Sequence, residues 1–363
     1  MPVIVLTGGG TAGHVTPNIA LIESLKLCDW QIHYVGSNDG VEKNMLATIG
    51  VPYHAVQSGK MRRYFSWQNF LDPFKVLAGI AQSYFLLRRL KPHIVFSKGG
   101  FVALPVVIAA WLNRVPVIAH ESDITPGLAN RLSFPFVTKI CVTFEAARRH
   151  FKNQDKIEVT GTPIRDQLLK GDKSRGLALC GFSPEKPCLL FVGGSQGSAR
   201  LNAMVRDALP TLTTQFQIIH LCGKDKRSEA HATVPGYFQL EYANEPLADL
   251  LAASDVVVSR SGANALYELL ALSKPHVLIP LSRKVSRGDQ IQNARYFEKL
   301  GISTVLDDDL LSSHDLVQAI DDVFTHRDEL VDKIKALGIT SATDHIIDLL
   351  EKHRTRPHLT KAL

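Results

Sequence analysis

Residues 7–14 read Thr-Gly-Gly-Gly-Thr-Ala-Gly-His and follow the apolar run Val3-Ile4-Val5-Leu6. Gly8, Gly10 and Gly13 fall at G-x-G-x-x-G spacing. Glycines there permit positive φ and close backbone approach, and the exposed amides of a helix starting behind them favour an anion. A dinucleotide turn also needs a carboxylate about 20 residues on, closing the second strand. That strand is expected at 31–35 and runs into Gly36-Ser37; no carboxylate stands at its tip, and Asp39 and Glu42 come late. The turn therefore fits an anionic ligand other than NAD. His14, directly after the last glycine, adds a side chain whose ordinary pKa lies near neutrality. It is unexpected for a pure cofactor loop, and a structural cap of a helix expected to start near Thr16-Pro17 is the plain reading.

Four further stretches carry candidate chemistry. His120-Glu121-Ser122-Asp123, with Pro126-Gly127 and Asn130 behind it, follows a buried strand; its polar groups either face a ligand or cap a loop. Ser259-Arg260-Ser261-Gly262-Ala263 opens a helix, and small residues there make a phosphate seat that the helix dipole favours by ~0.3–1 kcal/mol. Glu268, further along that helix, could accept from ribose hydroxyls or be solvated. Gln290 and Asn293 have amides that donate and accept, which suits sugar hydroxyls and equally a helix surface. Arg165, in Gly161-Thr162-Pro163-Ile164-Arg165, could clamp a diphosphate or pair with a surface acid.

The elements that must hold these residues alternate strand and helix along the chain. Short β-rich runs occur at 94–96, 117–119 and 140–142, and a second series at 188–192, 217–220, 256–258 and 277–279. The second series opens as the first does, with a strand running into Gly193-Gly194-Ser195-Gln196-Gly197-Ser198. This predicts an α/β protein of two Rossmann-like, doubly wound parallel-sheet domains facing across a cleft. The expected division is 1–163, 164–342 and a tail, 343–363, whose helix and basic end return to the first domain. A length of 363 residues suits two domains. The net charge of +6 suits an anionic partner, but no basic–aromatic motif set points to nucleic acid. Five scattered cysteines without a C-x-x-C argue for a reducing compartment and against zinc or a disulfide framework. The chain enters a strand at once, so no signal peptide is expected, and the longest apolar run, 101–112, is too short to span a bilayer. A cytoplasmic protein, or one bound to a membrane from outside, is expected.

The ordered set GGGTAGH, HESD…PGLAN, GTPIR, GGSQGS…LN, SRSGA…E and DQ…NA resembles the MurG family, in glycosyltransferase family 28. Members transfer GlcNAc from UDP-GlcNAc to lipid I, the polyprenyl-pyrophosphate-linked MurNAc-pentapeptide of peptidoglycan synthesis. The match spans nearly the whole chain. It implies a GT-B fold, inverting transfer to the MurNAc 4-hydroxyl to form lipid II, and no obligatory metal or cofactor. It implies His14 as general base and places Thr11, Ala12 and Gly13 in the loop near the donor sugar and diphosphate. It implies donor contacts from Asp123, Arg165 and Ser195, and from Ala243, whose backbone meets the uracil. The helix start Ala263, Asn264, Ala265, Leu266 and Tyr267 would hold the nucleotide, with Glu268 on the ribose, Gln290 on a GlcNAc hydroxyl and Asn293 one turn on. Two departures stand out. Ala12 replaces a common glycine. HESD replaces the more usual HEQN, which adds charge near a diphosphate and makes Asp123 a rival base.

A polyprenyl acceptor implies work at an anionic membrane surface, as a peripheral protein on the cytoplasmic face, with a cell-wall synthesis complex as possible company and roles in cell shape and division. Residues 60–91 suit that. Trp67, Phe70, Phe74, Leu77, Ile80 and Tyr84 recur near helical spacing, with Lys60, Arg62, Arg63, Lys75, Arg88 and Arg89 among them. An ordinary core-facing helix is the alternative. The competing activities are another GT-B transferase with a lipid acceptor, such as a diacylglycerol glucosyltransferase, a UDP-sugar 2-epimerase, and a non-catalytic nucleotide-sugar-binding scaffold.

Overall fold

The computed structural model describes residues 1–59, 68–194 and 197–355, with the backbone alone at 68–71. The chain forms two compact units, Met1–Arg165 with Ser341–Leu363, and Asp166–Thr340.

The first unit begins β1 (Val3–Thr7), α1 (Ala12–Leu27), β2 (Gln31–Ser37), α2 (Val41–Leu46), β3 (Tyr53–Val56) and α3 (Gln68–Leu90). It continues with β4 (Ile94–Ser97), α4 (Ala103–Leu112), β5 (Val117–Glu121), α5 (Leu128–Ser133), β6 (Lys139–Val142) and β7 (Ile157–Val159). All strands are parallel, in the order β3-β2-β1-β4-β5-β6-β7. Their near-continuous apolar runs follow from burial on both faces of a parallel sheet. Alternation sends Ile4 and Leu6 to one core with Ile22, Leu25 and Phe96, and Val5 to the other with Val95, Val106 and Ala110. The strand order reverses between β1 and β4, so the loops after these two strands open side by side, where such sheets take their ligands.

The second unit runs α6 (Lys173–Cys180), β8 (Cys188–Val192), α7 (Ala199–Gln215), β9 (Gln217–Leu221), β10 (Tyr237–Leu240), α8 (Leu247–Ala253) and β11 (Val256–Ser259). There follow α9 (Ala263–Ala271), β12 (His276–Leu278), α10 (Asp289–Lys299), β13 (Thr304–Val305), α11 (Ser313–Thr325) and α12 (Arg327–Lys335). Its parallel sheet has the order β10-β9-β8-β11-β12-β13 and reverses between β8 and β11. Leu189, Phe191, Val256 and Val258 pack with Leu201, Val205 and Ile320. Helix α6 approaches α8 closely through glycine: a Cβ on Gly176 would lie 2.2 Å from the Asp249 carbonyl oxygen. The last helix, α13 (Thr343–His353), belongs to the first unit, where Ile346 and Leu350 join the core beside α1. The two segments that enter and leave that unit are tied together, Ala342 N–H donating to the Thr162 carbonyl at 3.2 Å.

Helix α1 starts at Ala12, a full turn before the expected Thr16-Pro17, and Pro17 lies inside it. Gly10, at φ +86°, makes the turn early, so His14 stands in the first helical turn. All five thiols are free. Among the described residues no helix is long and apolar enough to cross a membrane.

Candidate active site

In the first unit the glycine loop is held from three sides. Gly9 N–H donates to the Gly99 carbonyl at 3.3 Å, and Lys98 N–H to the Thr7 carbonyl at 2.8 Å, which joins the two loops at the reversal. Tyr34 Oη donates to the Gly8 carbonyl at 2.7 Å. From below comes a carboxylate that the spacing of the sequence did not reveal. Glu42, on α2, is fully buried; its Oε2 accepts from Gly10 N–H at 3.2 Å. Its Oε1 accepts from Ser37 N–H at 2.9 Å and Ser37 Oγ at 2.6 Å. The tip of β2 thus does receive a carboxylate, a correction to the sequence reading, but it accepts from the protein's own loop at Gly10 and Ser37. Gly9 and Gly40 make room for it: a Cβ on either would lie within 2.4 Å of Glu42 Oε1.

His14 is half-buried, and its Nδ1 lies 3.1 Å from the Gly9 carbonyl and 3.1 Å from Thr11 Oγ1. A carbonyl only accepts, so Nδ1 carries the proton and Nε2 is the ring's lone-pair nitrogen, the atom a general base needs. Thr11 and Gly13 are exposed and Ala12 half-buried around it.

Behind this loop lies a buried polar set. Lys98, 1% exposed, donates from Nζ to His120 Nδ1 at 2.6 Å, Ser122 Oγ at 2.5 Å and Thr162 Oγ1 at 3.4 Å. His120 Nε2 donates to the Gly161 carbonyl at 2.7 Å, and burial holds this imidazole well below its usual pKa, with the Lys98 charge adding to the effect. Glu121 knits the following loop: it accepts from Asp123 N–H at 3.0 Å, Gly127 N–H at 2.9 Å and Asn130 Nδ2 at 2.9 Å. Burial, and then the neighbouring Asp123 charge, push its carboxyl above the usual range. Asp123 itself is half-buried at the loop surface. Arg165 closes the unit's main segment, half-buried.

In the second unit the loops after β8 and β11 meet in the same way. Gly194 and Gly197 turn at φ +89° and +64°, and Ser198 caps α7, its Oγ accepting from Leu201 N–H at 3.2 Å. Arg260, nearly buried, donates from Nη2 to Ser198 Oγ at 2.6 Å and from Nη1 to the Ile279 carbonyl at 3.0 Å, and pairs with Asp308 at 3.0 Å. The guanidinium locks three loops around the start of α9. Ser261 Oγ donates to the Gln290 carbonyl at 2.9 Å, and Asn293 Nδ2 to the Ser261 carbonyl at 3.3 Å. Gln290 Oε1 accepts from Leu281 N–H at 3.1 Å. Asn293 is therefore a buried strut under the Ser261 turn, and Gln290 lies half-buried beside Gly262. On α9, Ala263, Leu266 and Tyr267 are buried, while Asn264, Ala265 and Glu268 are half-buried. Ala243 is buried after the half-exposed Tyr242.

Ser195, Lys60, Arg62, Arg63 and Trp67 lie outside the described residues, as does the side chain of Phe70. On α3, Phe74 and Leu77 are exposed and Lys75 is half-buried, whereas Tyr84 turns partly into the core. Phe85, which the sequence reading did not single out, is also exposed. Among the described residues no group of three or more His, Cys, Asp or Glu side chains could hold a metal ion.

Two doubly wound parallel sheets, each with glycine-turn loops at its own reversal, define the GT-B class. Models of the glycosyltransferase family 28 N-terminal and C-terminal domains match residues 4–142 and 188–349, and the chain belongs to that family. It is 62% identical over 351 residues, 97% of either chain, to the UDP-N-acetylglucosamine--N-acetylmuramyl-(pentapeptide) pyrophosphoryl-undecaprenol N-acetylglucosamine transferase of Legionella pneumophila strain Paris. The Clostridium tetani protein of the same name is 50% identical over 97% of this chain and 98% of its own. Among solved structures, Acinetobacter baumannii MurG shares the fold at a TM-score of 0.77 and 24% identity, covering 97% of this chain and 100% of that one. Neisseria meningitidis UDP-GlcNAc 2-epimerase shares it at 0.69 and 14%, covering 97% and 100%.

Proposed function

We propose that this enzyme transfers GlcNAc from UDP-GlcNAc to the MurNAc 4-hydroxyl of lipid I, forming lipid II for peptidoglycan synthesis. The observation that carries the reading is the 62% identity, over 97% of both chains, to a Legionella protein named for that transfer. The site chemistry supports it. His14 Nε2 takes the acceptor hydroxyl proton as the oxygen attacks the anomeric carbon. The new C–O bond forms as the bond to the diphosphate breaks, with inversion, and UDP leaves with the negative charge. Donors from Arg165, Ser195 and the amides at the start of α9 stabilise that charge. Glu268 accepts from ribose hydroxyls, the Ala243 backbone meets the uracil, and Gln290 meets a GlcNAc hydroxyl. Asn293 acts by fixing the Ser261 turn. Asp123 is the donor contact and the rival base.

In this reading residues 1–163 form the acceptor and membrane side, 164–342 bind the donor, and 343–363 return to the first. The enzyme works as a peripheral protein on the cytoplasmic face of the membrane, in a cell-wall synthesis complex, through the exposed Phe74 and Leu77 and nearby cations. No metal or cofactor is required. The test is transfer of labelled GlcNAc into a lipid I analogue, with and without EDTA, for wild type, His14→Ala and Asp123→Asn. Transfer that survives EDTA and falls about 10²–10⁴-fold in His14→Ala supports the reading. Full activity in His14→Ala with an inactive Asp123→Asn moves the base to Asp123. Label that changes sugar without an acceptor makes the protein an epimerase.

A further inference from the structure

Behind the glycine turn after β8 lies a buried polar chain that the chemistry proposed above does not use. His220 on β9 is fully buried, and Asn202 on α7 and Tyr237 on β10 are nearly so. Asn202 Nδ2 donates to the Cys222 carbonyl at 2.8 Å, so its Oδ1, which can only accept, faces His220 Nε2 at 3.0 Å. His220 Nε2 therefore carries the ring proton, and Nδ1 accepts from Tyr237 Oη at 2.7 Å. Burial, with the Arg206 charge adding to the effect, holds this imidazole down to about 3, so it stays neutral. Every hydrogen bond then runs one way, from Tyr237 to His220 to Asn202 to the Cys222 carbonyl. That carbonyl is the support of the glycine turn: a Cβ on Gly197 would lie 2.1 Å from its oxygen. Gly197, at φ +64°, donates from its N–H to the Gly194 carbonyl at 2.9 Å, and its own carbonyl accepts from Lys226 Nζ at 3.2 Å. Asn202 N–H in turn donates at 2.8 Å to the carbonyl of Ser198, the residue that caps α7. One amide side chain thus joins the helix behind the turn to the backbone on which the turn rests.

We infer that Asn202, His220 and Tyr237 are positioning residues for the donor diphosphate: their relay holds the Cys222 carbonyl against Gly197 and so sets the turn that receives the phosphates. The inference rests on the sugar-diphosphate reading of this turn. In the first arm of the test, UDP and uridine are titrated into the full chain and their Kd values read by NMR. In Asn202→Ala the Kd for UDP rises about tenfold, as the loss of buried hydrogen bonds requires, while that for uridine, which has no phosphate, is unchanged. Equal rises for both ligands, or an unchanged Kd for UDP, overturn the inference. His220→Gln keeps a donor for Asn202 Oδ1 and binds UDP more tightly than His220→Leu; equal Kd values leave the imidazole a packing group and overturn the relay. If Asn202→Ala fails to fold, Asn202→Asp takes its place, since it keeps the acceptor for His220 and removes the donor to Cys222. In the second arm, amide hydrogen exchange is followed at Gly197 and Gly223, whose N–H groups donate to Gly194 and Glu241. Both speed up about tenfold in the Asn202 variant while Gly10, in the other unit, does not. Unchanged exchange overturns the inference. Wild type that binds no UDP would count against the donor reading, and the exchange arm would still decide whether the relay holds the turn.

Discussion

Replacing Glu42 by Gln exchanges one carboxylate oxygen for an –NH₂ in a fully buried side chain, yet it is expected to loosen the glycine loop that carries His14. The amide keeps one oxygen, which can still accept from Ser37 N–H and Oγ, now at 2.9 and 2.6 Å. The other position becomes an –NH₂ facing the Gly10 N–H, which the carboxylate accepts at 3.2 Å. Two donors then oppose each other. The backbone is too close to relieve this easily, since a Cβ on Gly9 would lie 2.4 Å from Glu42 Oε1. Gly10 itself is exposed, so water recovers part of the loss. The net penalty is about 1–2 kcal/mol, or about 5–30-fold in the equilibrium between ordered and loosened loop. His14 is oriented by the Gly9 carbonyl at 3.1 Å, so the loss reaches the proposed base. Glu42→Gln should therefore lower kcat, by up to about 5–30-fold, with a smaller change in donor KM. Amide hydrogen exchange at Gly10 should speed up by a similar factor. Because the chain has two units, local exchange is a better gauge than one global unfolding free energy. Wild-type kcat together with wild-type Gly10 exchange would refute the claim that this carboxylate holds the loop.

Three other outcomes are expected. Gly176→Ala gains about 1 kcal/mol of helix propensity but forces a Cβ to 2.2 Å from the Asp249 carbonyl oxygen, a strain of about 1–3 kcal/mol; the melting temperature should fall, and a rise would show that α6 shifts freely against α8. Burial depresses His276 from 6.5 to about 4, so the unfolded chain binds its proton first on acidification. That stability is present above pH 6.5 and is lost as pH falls toward 4, about 3 kcal/mol in all. Calorimetry should find a shallower acid loss in His276→Gln, and parallel curves would contradict the assignment. Phe74→Ser with Leu77→Ser removes two exposed apolar side chains, 69% and 62% accessible, and should weaken binding to anionic vesicles about tenfold or more without lowering the melting temperature. Unchanged vesicle binding would remove this face of α3 from the membrane account.

Much of the fold was legible because buried parallel strands are apolar on both faces. Among the described residues, the nine strands inside the two sheets correspond to runs that stand out in the sequence. The four that do not, β3, β7, β10 and β13, are the four sheet edges. They are short, from two to four residues, and several of their side chains are only partly buried, so their runs carry a weak pattern. The sequence puts the start of α1 too late because Pro17 suggests a first turn, whereas Gly10 already makes it. At the site, the glycine turns and His14 were visible in spacing. Glu42, Lys98 and Arg260 were less so, because each acts through loops far from it in sequence. A buried charge announces itself only when its partners are known. Asn293 illustrates the opposite case: its type suited a sugar contact, but its burial turns the amide onto the Ser261 carbonyl.

The most direct measurement is the identity and anomeric configuration of the product formed from UDP-GlcNAc and a lipid I analogue, by mass spectrometry and NMR. The expected product carries one added GlcNAc per acceptor, β-linked to the MurNAc 4-oxygen, with one UDP released. An α-linked product, a different acceptor position, or consumption of UDP-GlcNAc without a glycosylated lipid would contradict it.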